Sequence, residues 1–167
     1  MTDVKIVREY PHAPKKVWRA LTEPALIGLW AMRPEGFSPA VGNKFKLVAK
    51  PQPGWRGWVE CEVLEASPPE SGKARENAVL RYSWKGDDDG DTTVVTYTLT
   101  EHEGGTRLVF EHTGFRGFGG FMLAKFMLGP GWKKMLSSAV PAVLADVDDD
   151  GKLRVDSTLR PKYPAAA

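Results

Sequence analysis

Residues 92–115 read "TTVVTYTLTEHEGGTRLVFEHTGF". Two runs, "TTVVTYTLTEH" and "GTRLVFEHTGF", are rich in Val, Thr and aromatic residues, and the "EGG" between them is turn chemistry. Apolar and polar residues alternate within each run. Val95, Tyr97 and Leu99 fall on one side of the first, and Leu108, Phe110 and His112 on one side of the second. A period of two places each set on a single face of a strand. The short spacing between the runs argues antiparallel pairing. The stretch therefore predicts a hairpin with one apolar, aromatic face and one wet face.

Upstream, "NKFKLVAK", "GWVECEVLEAS" and "AVLRYSWKG" repeat the pattern. Their one-sided sets are Phe45, Leu47 and Ala49, then Val59, Cys61 and Val63, then Leu80, Tyr82 and Trp84. "PQPGWRG" and "PPESGKAREN" read as loops from their Pro, Gly and Asn content, and "GDDDGD" as an exposed hairpin tip. "VKIVREY", near the start, adds another strand. Between it and the rest, "HAPKKVWRAL" and "TEPALIGLW" predict two short helices. Pro14 suits a first turn, Val17, Trp18 and Leu21 share one face, Thr22 is a candidate cap, and Pro24 falls just inside the second helix.

Something must cover the apolar face of such a sheet. The only segment long enough runs from about Gly120 to Val147. Pro130 and Pro141 each remove an internal donor, which predicts an interrupted, kinked helix lying across the sheet. The expected fold is α+β: a curved antiparallel sheet of about six strands, two short helices, and a long kinked C-terminal helix packed across it. A length of 167 residues suits one core, here expected over residues 1–151 and followed by a flexible tail at 152–167.

The order of elements is that of the START-like helix-grip (SRPBCC) superfamily. "APKKVWRALTEPALIGLW", "GGTRLVFEHTGF" and "GWKKML" resemble three signature segments of the family named for the activator of the 90-kDa heat-shock-protein ATPase. In that family the first builds the helix pair, the second is the last strand and the third sits in the closing helix. The segment between Phe115 and Trp132 is more apolar and glycine-rich here than in the usual version. The resemblance implies three alternative roles. One is non-catalytic binding of a small apolar or aromatic ligand. Another is a co-chaperone-like module whose partner is a chaperone ATPase. The last is an enzyme resembling polyketide cyclases, for which His112 is the best acid–base candidate.

A sheet gripped by a helix encloses space. An empty apolar void of roughly 300 Å³ would cost several kcal/mol at about 24 cal/mol per Å³, so such a space is small, wet or filled by a guest. The candidate ligand-binding residues from the sheet and helix pair are Trp30, Tyr82, Trp84, Tyr97, Phe110 and His112. Those from the closing segment are Phe115, Phe118, Met122, Phe126, Trp132 and Met135, with Phe121 and Met127 beside them as parts of a pliable mouth. The same rings could equally pack as ordinary core.

Other chemistries find less footing. His12, His102 and His112 have no partners at metal-ligand spacing. Asp146, Asp148 and Asp150 resemble the start of a calcium loop, but Ser157 stands where its bidentate Glu belongs. No metal or cofactor is expected. Arg8 shares the inward parity of its strand and could meet an anionic group. Cys61 is the lone cysteine, which excludes an internal disulfide. Together with the charged opening "MTDVKIVREY", unlike a secretory signal, this predicts a cytoplasmic protein. A formal net charge of +2 is too small to argue for nucleic acid or an anionic membrane. The apolar run Phe118–Leu128 falls short of the roughly 20 residues of a membrane span, which leaves surface contact as the conceivable membrane role.

Overall fold

The computed structural model describes residues 3–69, 77–88 and 90–165. Seven strands form one antiparallel sheet: β1 (Val4–Tyr10), β2 (Arg33–Glu35), β3 (Lys44–Val48), β4 (Trp58–Ser67), β5 (Ala78–Trp84), β6 (Thr93–His102) and β7 (Gly105–Thr113), in the order β1-β7-β6-β5-β4-β3-β2. The architecture is the α+β helix-grip expected from the pattern, with one strand more than the six legible in the sequence. The addition, β2, is a three-residue edge paired with β3. Much of the "PPESGKAREN" loop, and Asp89 of the "GDDDGD" tip, lie outside the described residues.

The β6–β7 hairpin forms as expected from the pattern, and its register sets Tyr97 opposite Phe110 and His102 opposite Gly105. Its two-residue turn, Glu103–Gly104, has φ of 50° and 83°. Positive φ at both positions gives a turn whose twist matches that of the strands. A register shift between Val63 and Glu65 puts a bulge at the middle of β4, which bends the strand and increases its local twist. On that face Val59, Cys61, Val63, Leu80, Tyr82, Trp84, Val95, Tyr97, Leu99, Leu108, Phe110 and His112 are all buried.

Helices α1 (Pro14–Thr22) and α2 (Pro24–Trp30) form the expected pair, each begun by its proline. Thr22 is not a cap. It ends α1, and its hydroxyl donates to the carbonyl of Trp18 at 2.7 Å. The Trp30 indole donates to the Ala20 carbonyl at 2.8 Å and ties α2 to α1.

The closing helix differs from expectation in an instructive way. It is continuous over residues 117–146, as α3 (Gly117–Leu123), a π turn (Ala124–Leu128), α4 (Gly129–Lys134), a second π turn (Met135–Ala139) and α5 (Val140–Asp146). Each π turn precedes a proline. The N–H of Gly129, just before Pro130, bonds the carbonyl of Ala124, and that of Val140, just before Pro141, bonds the carbonyl of Met135. Widening by one residue accommodates each ring without breaking the helix. A Cβ on Gly129 would sit 2.7 Å from the Ala124 carbonyl oxygen, so a side chain there would force the local backbone to shift.

The second π turn leaves the Leu136 carbonyl without a helical donor. Val140 has bonded Met135, and Pro141 has no N–H. The sheet supplies the missing group: the Tyr10 hydroxyl donates to Leu136 O at 2.6 Å in the buried interior. Arg8, one alternation earlier on β1, donates from Nε to the Ser137 hydroxyl at 2.7 Å. Its inward parity is thus spent on the helix.

Within the stretch expected as a flexible tail, residues 152–165 make contacts with the domain. Leu153 and Leu159 pack on the core, and Arg33 donates to the carbonyls of Tyr163 and Pro164. Two carboxylates of the calcium-loop look-alike are engaged by the chain itself: Asp148 accepts from the backbone N–H groups of Asp150 and Lys152, and Asp146 from the Ser157 hydroxyl.

Tyr10→Phe leaves the buried Leu136 carbonyl unpaired. We expect it to lower stability by about 1–3 kcal/mol, read as a drop in urea midpoint, while Arg8→Ala at the half-exposed neighbouring contact lowers it by less.

Candidate functional site

Trp132 is the knob that the closing helix drives into the concave sheet. It is buried, with ring centroids 4.4 Å from Phe110, 5.4 Å from Trp84 and 6.4 Å from Tyr97. Its indole N–H donates to His112 Nδ1 at 3.1 Å. An indole N–H can only donate, so Nδ1 is the accepting nitrogen and the imidazole proton resides on Nε2. Nε2 then donates to the Thr93 hydroxyl at 2.7 Å, and that hydroxyl reaches the Trp84 carbonyl at 3.3 Å. The chain Trp132–His112–Thr93–Trp84 links the closing helix to β7, β6 and β5.

Both His112 nitrogens are spent and the ring is fully buried. Burial lowers its pKa to about 3. A second proton would also set a ring N–H against the indole N–H. His112 is therefore a neutral structural histidine over the physiological range, and the acid–base role expected of it under the cyclase-like reading finds no support in its geometry.

Between α2, β3, β5 and the closing helix lies a cavity of about 20 Å³, room for about one water. Its wall includes Leu21, Ile27, Trp30, Phe45, Leu47, Tyr82, Trp84 and Trp132. Met32, Phe37 and Met135, each only half-buried, complete the wall. Of the candidate residues, Trp30, Tyr82, Trp84, Trp132 and Met135 meet at this cavity. Tyr97, Phe110 and His112 form the packed layer beside it. Phe115 is half-buried, its ring 4.7 Å from His112. Phe118, Met122 and Phe126 are elsewhere: they are exposed on the outward side of the closing helix and line no part of the cavity. The mouth is built instead from Met32 and Phe37, in the connection from α2 to β2 and β3, where no periodic pattern marks them.

The Tyr82 and Tyr97 hydroxyls are 2.7 Å apart in the buried interior. Burial raises both phenol pKa values well above the ordinary range, and it raises the Cys61 thiol likewise. All three remain protonated. Two hydroxyls joined by a single hydrogen bond leave one O–H without an acceptor among the described residues. Either hydroxyl can be the donor; of the two residues, Tyr82 forms part of the cavity wall.

A larger depression, of about 740 Å³, opens beside β3–β5. It is lined by Lys44, Lys46 and Lys85 against Glu35, Glu60 and Glu62, and the alternating charges give it no single-sign field. Among the described residues no three His, Cys, Asp or Glu side chains converge as a metal site, and no helix is long and apolar enough to cross a membrane.

Trp132→Ala removes the central knob and should cost about 3–5 kcal/mol, measured by urea unfolding. The depressed pKa of His112 predicts a pH dependence of definite sign. Above its ordinary value near 6.5 the ring is neutral folded or unfolded. As pH falls toward about 3 only the unfolded chain takes up the proton, so stability is lost. Between about pH 7.5 and pH 5 the loss is about 2 kcal/mol, and His112→Gln should flatten this slope even though it lowers overall stability.

Comparison with known proteins agrees with the fold. The chain is 33% identical to protein MLL2253 from Mesorhizobium loti, with a TM-score of 0.72 over 87% of this chain and 98% of that one. A protein from Rhodobacter sphaeroides superimposes with a TM-score of 0.69 at 23% identity, covering 88% of this chain and 94% of that one. CalU16 from Micromonospora echinospora does so with 0.61 at 24% identity, covering 81% and 71%. No curated protein matches the chain. The family profile described as "Activator of Hsp90 ATPase homolog 1-like protein" matches residues 11–144, from the helix pair through α5, and the chain belongs to that family.

Proposed function

We propose that the protein binds a small hydrophobic or aromatic molecule, without chemical change, in the seam between the sheet and the closing helix. The observation that carries this reading is the buried Tyr82–Tyr97 hydroxyl pair, which has one more O–H than it has acceptors among the described residues, beside an otherwise apolar cavity that Tyr82 helps to wall. A buried donor without a partner costs about 1–3 kcal/mol. A guest bearing a carbonyl or ether oxygen recovers that penalty while its apolar body displaces the half-buried wall.

The guest makes its own room. The cavity of about 20 Å³ is the closed form. Met32 and Met135 have flexible, unbranched side chains suited to reshaping a pocket, and Phe37 stands edge-on to Phe45 at 4.9 Å as the rigid side of the mouth. Apolar burial at about 25 cal/mol per Å² supplies the affinity, and the tyrosine hydroxyl sets the orientation. Chemistry is absent from this reading because the interior groups are held away from reactivity: His112 has no free nitrogen, and the phenols and thiol stay protonated.

Two probes of matching shape, indane and indanone, separate the contributions. Indanone should raise the melting temperature more than indane does. Tyr82→Phe should erase that difference, and Met135→Trp should abolish the response to both. If neither probe shifts the melting temperature of the wild type, nor perturbs the cavity resonances in a saturable NMR titration, the binding reading is wrong.

A further inference from the structure

We propose that the outward ridge of the closing helix, residues 118–127, docks on an anionic lipid surface. The ridge does not belong to the cavity. Phe118 is 77% exposed, Met127 66% and Phe126 59%, with Met122 and Leu123 exposed beside them. No residue of α3 is buried. These side chains project from the outward side of the helix as a crest. Phe118 and Phe121 stack at 6.4 Å along it. Isolated apolar residues on a surface need no explanation, whereas a contiguous aromatic and thioether patch marks an interaction site.

Charge identifies the occupant. The net charge of +2 hides a strong local asymmetry: from His112 to Ala145 there is no Asp or Glu, while Arg116, Lys125, Lys133 and Lys134 are all present and all exposed. In sequence the first carboxylate before this stretch is Glu111, and Asp3 accepts from the Gly114 N–H. The Lys125 ammonium stands 5.5 Å from the ring centroids of both Phe121 and Phe126, a cation held within the apolar crest. Lysines around protruding Phe and Met side chains match an interface whose surface is negative and whose interior is apolar. A folded protein partner would call for a shaped apolar contact with matched hydrogen bonds. A crest whose flank is the bare backbone of Gly117, Gly119 and Gly120 offers few of either.

Docking needs no refolding. Ala124, on the opposite side of the helix, is buried, and Gly129 lies close against Val4 of β1. The helix stays clamped to the sheet while the crest inserts to the headgroup level.

Sedimentation with vesicles tests this directly, using phosphatidylcholine alone and phosphatidylcholine containing one-third phosphatidylglycerol. The wild type should pellet with the anionic vesicles, less so at high salt, and much less with the neutral ones. The double variant Phe118→Ser/Phe126→Ser, whose side chains contribute nothing to the core, should keep the wild-type melting temperature and lose about tenfold in partitioning for each ring removed. Lys125→Glu should remove part of the salt-sensitive component. Wild-type protein that stays in solution with anionic vesicles overturns the proposal, as does a double variant that still pellets. A dimer in sedimentation velocity that the double variant abolishes would assign the crest to a second copy of the chain and would equally overturn it.

Discussion

The structure depends on one buried contact, the Trp132 indole resting on Phe110 and donating to His112. A helix laid across a concave sheet has no hydrogen-bond ladder to fix its position, because, the Leu136 carbonyl apart, both elements satisfy their backbones internally. Apolar packing alone would tolerate sliding. A directional bond from the helix to an imidazole, relayed through Thr93 to the carbonyl of Trp84, sets one register and makes alternatives cost an unpaired buried group. The same contact determines what the interior can hold. Trp132 occupies the middle of the concave face, so the remaining space is displaced toward α2 and the edge formed by β2 and β3.

The prolines cooperate with that register. Pro130 and Pro141 are eleven residues apart, and the two π turns recur at the same interval. Each turn adds a residue to the helix and rotates everything after it, so the inward face is composed differently from a uniform α-helix of the same sequence. Ala124, Trp132, Leu136, Val140, Val143 and Leu144 are buried on it. The carbonyl left over at the second turn is answered by Tyr10 from the first strand. What reads in isolation as two helix-breaking residues is, in place, a means of steering one helix along a curved surface.

This explains what the sequence revealed and what it concealed. Strand positions and faces were legible because a half-covered sheet has only two sides, and a slip of one residue would expose Tyr97 and Phe110 together. The resemblance to a known family rested on segments that also hold the helix pair and the last strand. β2 escaped because three residues including Pro34 carry no period. The outward turn of Phe118, Met122 and Phe126 escaped for a related reason: the glycines and the π turn remove the regular spacing that assigns faces. The cavity escaped most completely. Rings that line a space and rings that fill it are the same residues, and the volume between them is set by sheet curvature, by the bulge at Leu64 and by the insertion of Trp132, none of which is local in sequence.

The pairing of β1 with β7, which sets Val4 beside His112, has a consequence for biosynthesis. On the ribosome β1 emerges with its partner residues 96 to 108 positions away and still untranslated. Val4, Ile6 and Tyr10 must wait in solution, greasy and unpaired, until that partner leaves the exit tunnel. Completion of the sheet is therefore governed by long-range closure between β1 and β7, and a chain lacking β7 would leave the inner surface of β1 uncovered.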